Sequence, residues 1–302
     1  MNVPYLDGPT MAAALAYPAL VEHLRRAHCM PVPQAQRMLL QDPADAPEPN
    51  GFLVWPAWQP GVALGAKLCT LFPGNRHCPT IQAVYVLFNG ADGSVQALLD
   101  GTEMTYWKTA ADSALGADLL VVGAGSMAPH MVRAYRAVRP GLERVMLWNR
   151  TPERAHALAA SLQGIAVDVV TDLQSAVQAA DMVCCITAST QPLIQGDWLR
   201  PGTHLDLIGG YTPTMREADD QAVRRARIFV DSRWFTVAHA GDLTQPIASG
   251  VISANDVRAD LFELCSGRVA GRSSPQDITL FKSGGGAHLD LMTAQHIAAL
   301  LL

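Results

Sequence analysis

Apolar positions fall into two textures along the 302-residue chain. Between residues 34 and 100 they form short runs, GFLVWPAW (51–58), GVALGAKLCTLF (61–72), TIQAVYVLF (80–88) and SVQALL (94–99), separated by DPADAPEPN, PGNRHCP and NGADG. Short apolar runs bounded by Pro, Gly, Asn and Asp mark strands joined by turns. This stretch therefore predicts a mostly antiparallel sheet, with NGADG as its clearest hairpin. Ahead of it, Thr10 to about Cys29 has a helical pattern that Pro18 breaks in two, since proline in a helix interior removes a hydrogen bond and clashes. The opening reads as an α-helical cap.

A helical stretch at 103–117 leads straight into DLLVVGAGSMAPH (118–130), where strands and helices begin to alternate. Candidate strands are 118–122, 144–148, 165–170, 182–186, 203–207, 226–230 and 277–281; candidate helices lie near 126–138, 152–162, 172–180 and 215–225. Alternation at this spacing implies βαβ crossovers and a parallel sheet. The fold class is α/β: a Rossmann-type doubly wound parallel sheet plus a smaller α+β domain. The last segment, HLDLMTAQHIAALLL (288–302), is an apolar helix that the βαβ count does not need. It either returns to the first domain or covers a subunit interface.

Composition narrows the class. The chain is 49% hydrophobic and only 16% charged, against about 25% charged in an average soluble protein, so much of it must be buried in layered cores or in an interface. Lys+Arg 22 against Asp+Glu 27, with no cationic block, argues against nucleic acid as a partner. No basic n-region precedes an apolar run, and no uncharged stretch reaches the length of about 18 residues that a membrane span needs. The expectation is a cytoplasmic protein without a membrane partner. The six cysteines show no CxxC spacing and read as buried free thiols. The nine histidines form no metal constellation, and no metal is expected.

Gly123-Ala124-Gly125-Ser126-Met127-Ala128 fits G-x-G-x-x-A directly after an apolar strand and before a helix, the context this motif requires. Gly123 allows the tight turn, Gly125 lets the backbone approach a pyrophosphate, and Ala128 keeps helix and strand close. The phosphates would sit on the helix N-terminus. At the end of the next strand an NAD enzyme usually carries an acidic residue for the ribose 2′-hydroxyl. Here Asn149-Arg150-Thr151 stands instead, with Arg154 in the following turn, so NADPH is expected over NADH.

Several motifs in one order then resemble the ornithine cyclodeaminase/μ-crystallin family over nearly the whole chain. They are Lys67-Leu-Cys-Thr-Leu-Phe-Pro-Gly-Asn75, Leu99-Asp-Gly-Thr followed by Thr105-Tyr-Trp-Lys-Thr-Ala-Ala111, the GAGSMA loop, and Ile278-Thr-Leu-Phe-Lys-Ser-Gly-Gly285. Pro201 to Gly209 with Arg216-Glu217, and Ile228-Phe-Val-Asp231-Ser, agree as well. The resemblance implies a homodimer with a substrate-binding and dimerisation domain of residues 1–113 and 286–302, and a dinucleotide-binding domain of residues 114–285. The TYWKTAADSA, LWNRT and VCCITASTQPL segments look most like the ketimine reductases of the family.

Carried over by position, the resemblance implies that Arg37, Lys67, Thr80 and Lys108 line the substrate pocket, that Lys67 also takes part in catalysis, and that Asp231 is the acidic catalytic group. Gly123, Gly125, Ser126, Met127, Asn149, Arg150, Thr151, Thr187 and Ser283 would contact the cofactor. Lys108 stands where most relatives carry Arg, which turns a bidentate fork into a point charge. Gly284 replaces a usual apolar residue and is expected to loosen its loop. The leading expectation is NADPH-dependent reduction of Δ1-pyrroline-2-carboxylate or Δ1-piperideine-2-carboxylate to L-proline or L-pipecolate. The rivals are a cyclodeaminase or amino-acid dehydrogenase using NAD(H), and a μ-crystallin-like protein that binds NADPH and a small ligand without turnover.

Overall fold

The computed structural model describes residues 3–43, 49–111, 118–139, 141–142 and 144–302, residue 118 by its backbone alone. The chain divides into two compact units, residues 1–108 with 286–302, and residues 109–285. The expected boundary at 113/114 and the end of the expected helix at 103–117 fall outside the described residues.

The first unit opens with β1 (Tyr5–Leu6), α1 (Gly8–Ala14) and α2 (Tyr17–Ala27). Asp7 caps α1 by accepting from the Thr10 N–H at 2.9 Å. The helical stretch breaks at residues 15–16, and Pro18 sits in the first turn of α2, where its missing N–H would have had no helical partner. The opening is not wholly helical, because Tyr5 and Leu6 pair in parallel with Leu98 and Leu99. Six further strands follow: β2 (Gln34–Ala35), β3 (Met38–Gln41), β4 (Gly51–Gln59), β5 (Ala63–Leu71), β6 (Ile81–Asn89) and β7 (Val95–Asp100). They run antiparallel in the order β7-β6-β5-β4-β2, with β3 also on β4 and β1 added in parallel at the β7 edge. Alternation buries Leu53, Ala57, Cys69, Tyr85 and Leu87 on one face, as a period of two requires. Then α3 (Gly101–Ala111) begins.

In the second unit β8 (Asp118–Val122), α4 (Ala128–Val138), β9 (Arg144–Trp148), α5 (Pro152–Ser161), β10 (Asp168–Val169), α6 (Leu173–Ala179) and β11 (Met182–Cys185) alternate. The chain continues through β12 (His204–Leu207), α7 (Asp220–Arg225), β13 (Arg227–Val230), α8 (Arg233–Thr236), α9 (Gly241–Ala248), β14 (Val257–Asp260), α10 (Leu261–Cys265) and β15 (Thr279–Lys282). All eight strands are parallel, in the order β10-β9-β8-β11-β12-β15-β13-β14. Strand order reverses between β8 and β11, the switch point where such sheets bind ligands. Sequence patterning missed β14, whose VRAD carries two charges in four residues, and it extended α7 backwards, since 215–219 is irregular and Asp219 caps the helix. The core is formed by Leu120, Val122, Val183, Leu205, Leu207 and Leu280 among others. Inside it the Tyr135 hydroxyl donates to Asp206 at 2.7 Å, which ties α4 to β12.

The chain ends in α11 (Ala287–Leu301), which packs on α1 and α2 and across β4, β5 and β6. Among the described residues no helix is long and apolar enough to cross a membrane. Cys69, Cys184 and Cys185 are buried as expected of free thiols, whereas Cys29 and Cys78 are exposed, each in or beside a surface turn.

Candidate active site

The loop after β8 is shaped by two glycines that differ in their reasons. Gly123 has φ 120°, and a Cβ there would lie 2.7 Å from the Ile186 carbonyl oxygen, so the turn itself excludes a side chain. Around Gly125 no atom stands within 4 Å of where a Cβ would be. The protein's own packing gives no reason for this glycine, and close approach of a ligand's phosphates supplies one. Gly125 and Ser126 are exposed, Met127 is half-buried, and α4 starts without a side-chain cap. The Ala128 and His130 N–H groups donate to the Gly125 and Met127 carbonyls at 3.0 and 3.1 Å and Pro129 has no N–H, so an anion at this helix start would be met by the amides of the glycine loop before it.

Asn149 follows β9. Its Oδ1 accepts from the Ala124 N–H at 3.2 Å and its Nδ2 donates to the Thr151 carbonyl at 2.9 Å. The side chain that replaces the usual acidic residue thus straps β9 to the glycine loop. Arg150, Thr151 and Arg154 are exposed beside it, and neither arginine pairs with a carboxylate among the described residues. Thr187, just past β11, donates both its N–H and its hydroxyl to Glu217, at 2.6 and 2.8 Å. Ser283 is buried past β15, with its N–H on the Leu207 carbonyl at 3.1 Å.

In the first unit, antiparallel register places Trp55, Lys67 and Tyr85 side by side across β4, β5 and β6. The pairs Gln34↔Trp58, Ala35↔Ala57 and Met38↔Val54 set Arg37 across from Trp55 in the same row. Arg37 itself is exposed. Lys67 and Lys108, both buried, converge on one buried carboxylate of α11: Asp290 lies 2.9 Å from Lys67 and 2.5 Å from Lys108. The ammonium groups stand 4.8 and 5.7 Å from the centre of the Trp55 ring, within reach of cation–π attraction. Burial pushes the Asp290 carboxyl up, but Lys108 and Lys67 together hold it below the ordinary carboxylate value.

Sequence reasoning brought the two lysines together and missed their partner. The signal was present, since Asp290 interrupts the apolar run of 287–294 and a charge in such a helix is almost never buried unpaired. Thr80 is not brought to this cluster. It is exposed at the bend before β6, its carbonyl accepting from Phe72 at 2.7 Å, five residues along the ladder from the Lys67 row, or about 16 Å at the rise of a strand.

Asp231 follows β13 and is fully buried. One oxygen accepts from the Ser232 N–H at 2.7 Å and from the Thr236 hydroxyl; the other accepts from the Gly284 N–H at 3.0 Å. Burial pushes its carboxyl up to about 6, against these hydrogen bonds. Gly284 does not loosen its loop. Its amide is held by Asp231, and a side chain there would run into Thr236.

A glycine turn and an uncapped helix start at the switch point of a doubly wound parallel sheet are the features of a dinucleotide-binding unit. The chain belongs to the ornithine cyclodeaminase/mu-crystallin family, whose model matches residues 13–300. It is 45% identical over 300 residues to a Δ1-pyrroline-2-carboxylate reductase of Paracoccus denitrificans, covering 95% of this chain and 93% of that one. It is 36% identical to the ketimine reductase mu-crystallin of Mus musculus, over 82% of this chain and 79% of the other. Among solved structures, Thermococcus litoralis Δ1-pyrroline-2-carboxylate reductase in complex with NADH and L-proline superposes with a TM-score of 0.90 at 26% identity, covering 98% and 97% of the two chains.

Asp290→Asn removes the buried carboxylate that Lys67 and Lys108 share. Urea unfolding at pH 7 should show a loss of about 3–5 kcal/mol. The Asp290 carboxyl titrates below the ordinary aspartate value in the folded state, so its contribution is complete above about pH 4 and fades as pH falls. The gap between wild type and variant should close in acid. Equal stability at pH 7 would show that the lysines do not depend on Asp290.

Proposed function

We propose that this protein is an NADPH-dependent reductase of a cyclic ketimine carboxylate, converting Δ1-pyrroline-2-carboxylate or Δ1-piperideine-2-carboxylate to L-proline or L-pipecolate. The observation that carries the reading is the Lys67–Asp290–Lys108 cluster. Both lysines meet at one buried carboxylate beside the Trp55 ring, and cations gathered in this way suit a substrate that brings a single carboxylate to them. A dibasic substrate such as ornithine would need an acidic partner for its second ammonium, and Asp290 is already engaged by two cations. The relatives named as Δ1-pyrroline-2-carboxylate and ketimine reductases support the same substrate class.

The roles follow the chemistry of reduction. The dinucleotide, when bound, would supply the hydride that C2 of the imine accepts. Lys67 and Lys108, with Arg37 in the same row, hold the substrate carboxylate and so orient C2; Thr80, away from that row, takes no part. Asp231, with its carboxyl near 6, retains a proton in an appreciable share of molecules at slightly acidic to neutral pH. It keeps the ring nitrogen protonated, which makes C2 more electrophilic. The Gly125, Ser126 and Met127 backbone takes the pyrophosphate, and the Gly123 turn, Thr151, Thr187 and Ser283 line the crevice. Asn149 carries no charge and its Oδ1 already accepts from Ala124, so it offers a ribose hydroxyl less than the usual carboxylate would, whereas exposed Arg150 and Arg154 offer charge to a 2′-phosphate.

The same reading takes the protein as a homodimer. The sheet face opposite α11 carries Phe52, Val54, Trp58, Leu64, Leu68, Val86 and Phe88, half-buried or exposed, an apolar surface suited to a second copy. Light scattering should give twice the 32.3 kDa chain mass; a monomer at micromolar concentration would remove the dimer from the reading.

The test of function is turnover. Either imine should consume NADPH and yield the cyclic amino acid by mass spectrometry, with little ammonia from ornithine, and NADPH should bind at least about tenfold tighter than NADH, a difference of about 1.4 kcal/mol. Ammonia and proline from ornithine without turnover of either imine would replace this reading with cyclodeamination. Asp231→Asn keeps the shape and removes the proton. It should lower kcat by about 100-fold or more and abolish the fall of kcat as pH rises through about 6, with NADPH affinity nearly intact. A normal pH profile in that variant would take Asp231 out of the proton transfer.

A further inference from the structure

The second unit buries two carboxylates and a lysine that the proposed reaction does not use. Lys282, Asp242 and Glu217 are each 0% exposed. Lys282 Nζ donates to the Leu207 carbonyl at 3.0 Å and stands 3.3 Å from Asp242. The other Asp242 oxygen accepts from the Glu217 N–H at 2.7 Å, and the Glu217 carbonyl accepts from Leu193 and Ile194 at 2.8 and 3.0 Å. The Glu217 backbone is thus fixed from both sides before its side chain does anything.

That side chain reaches two loops. Oε1 accepts from the Thr187 N–H and hydroxyl, and Oε2 accepts from the Gly209 N–H at 2.7 Å. Thr187 follows β11 and Gly209 follows β12, so one carboxylate gathers the carboxyl ends of two adjacent strands. The fit is close, because a side chain at 209 would collide with the Thr187 backbone and with Glu217 itself. On its other side the gathered segment meets the glycine loop: Ile186 donates to the Val122 carbonyl at 2.9 Å, and a Cβ on Gly123 would lie 3.3 Å from the Thr187 methyl. Burying a carboxylate is costly, and three hydrogen-bond donors to its two oxygens show where that cost is met.

A doubly wound sheet binds a dinucleotide across its switch point, one mononucleotide half on each side. The strap between Asn149 and Ala124 belongs to the β9–β8 half, where the adenosine ribose lies. Thr187 and Gly209 belong to the β11–β12 half. We propose that Glu217 is a positioning residue for the nicotinamide half of the dinucleotide, shaping its wall by holding Thr187 and Gly209 in one rigid step. The inference rests on the cofactor reading above.

The test compares a whole cofactor with its adenosine half. Glu217→Gln replaces one acceptor by an NH2 group that must face an N–H donor. By calorimetry the variant should bind NADPH roughly tenfold more weakly or worse, while 2′,5′-ADP binds within about twofold of wild type. Thr187→Val, which removes only the hydroxyl donor, should shift NADPH in the same direction by less, and it decides the matter should Glu217→Gln fail to fold. Equal weakening of both ligands would mean that Glu217 merely supports the fold, and unchanged NADPH binding would mean that it does not shape the crevice. Either result overturns the proposal. If wild type prefers NADH, the cofactor reading fails by itself, and NADH against ADP then makes the same comparison.

Discussion

A charge removed from water must meet an opposite charge or a full set of hydrogen bonds, and that constraint organises both units. In the first, the sheet and α11 are joined by one carboxylate between two lysines, from residues 67, 108 and 290. In the second, Lys282, Asp242 and Glu217 lock the ends of three strands, and Asp231 fixes α8 against the loop after β15. A chain with so few charged residues has placed several of them where apolar side chains would pack more simply. Each cluster stands at strand ends or on the covered face of a sheet, where the backbone must be held in one arrangement for chemistry.

The dinucleotide unit was the more legible half of the fold. Its strands read as apolar runs because they are covered on both faces, and the glycine loop announced itself by position after one of them. What failed was local. The strand at 257–260 is short and charged, and residues 215–219 look helical only until Asp219 is recognised as a cap. The antiparallel sheet was visible from its turns, but the two-residue strand at Tyr5 was not, because its pairing lies more than 90 residues away.

The site was legible one residue at a time and not in its pairings. Lys67 and Lys108 were singled out by the family resemblance, while the carboxylate that holds them lies far along the chain from both, on the last helix. Glu217 was visible as part of a motif, yet nothing in spacing reveals that it reaches Thr187 and Gly209. Gly284 was misjudged for a related reason. A glycine in isolation reads as slack, and only the Thr236 hydroxyl crowding it shows that the absent side chain permits tightness.

The strap made by Asn149 bears on how such an enzyme could change its coenzyme. The position that ordinarily discriminates between the two nicotinamide dinucleotides is here also a structural brace, accepting from one loop and donating to another. An aspartate would keep the first bond but turn a bare carboxylate oxygen toward the Thr151 carbonyl, two acceptors facing each other. An acidic residue at this position, the usual means of gripping the ribose hydroxyls of the non-phosphorylated coenzyme, would therefore disturb the brace. Arg150 and Arg154, exposed beside it, show no such second duty among the described residues.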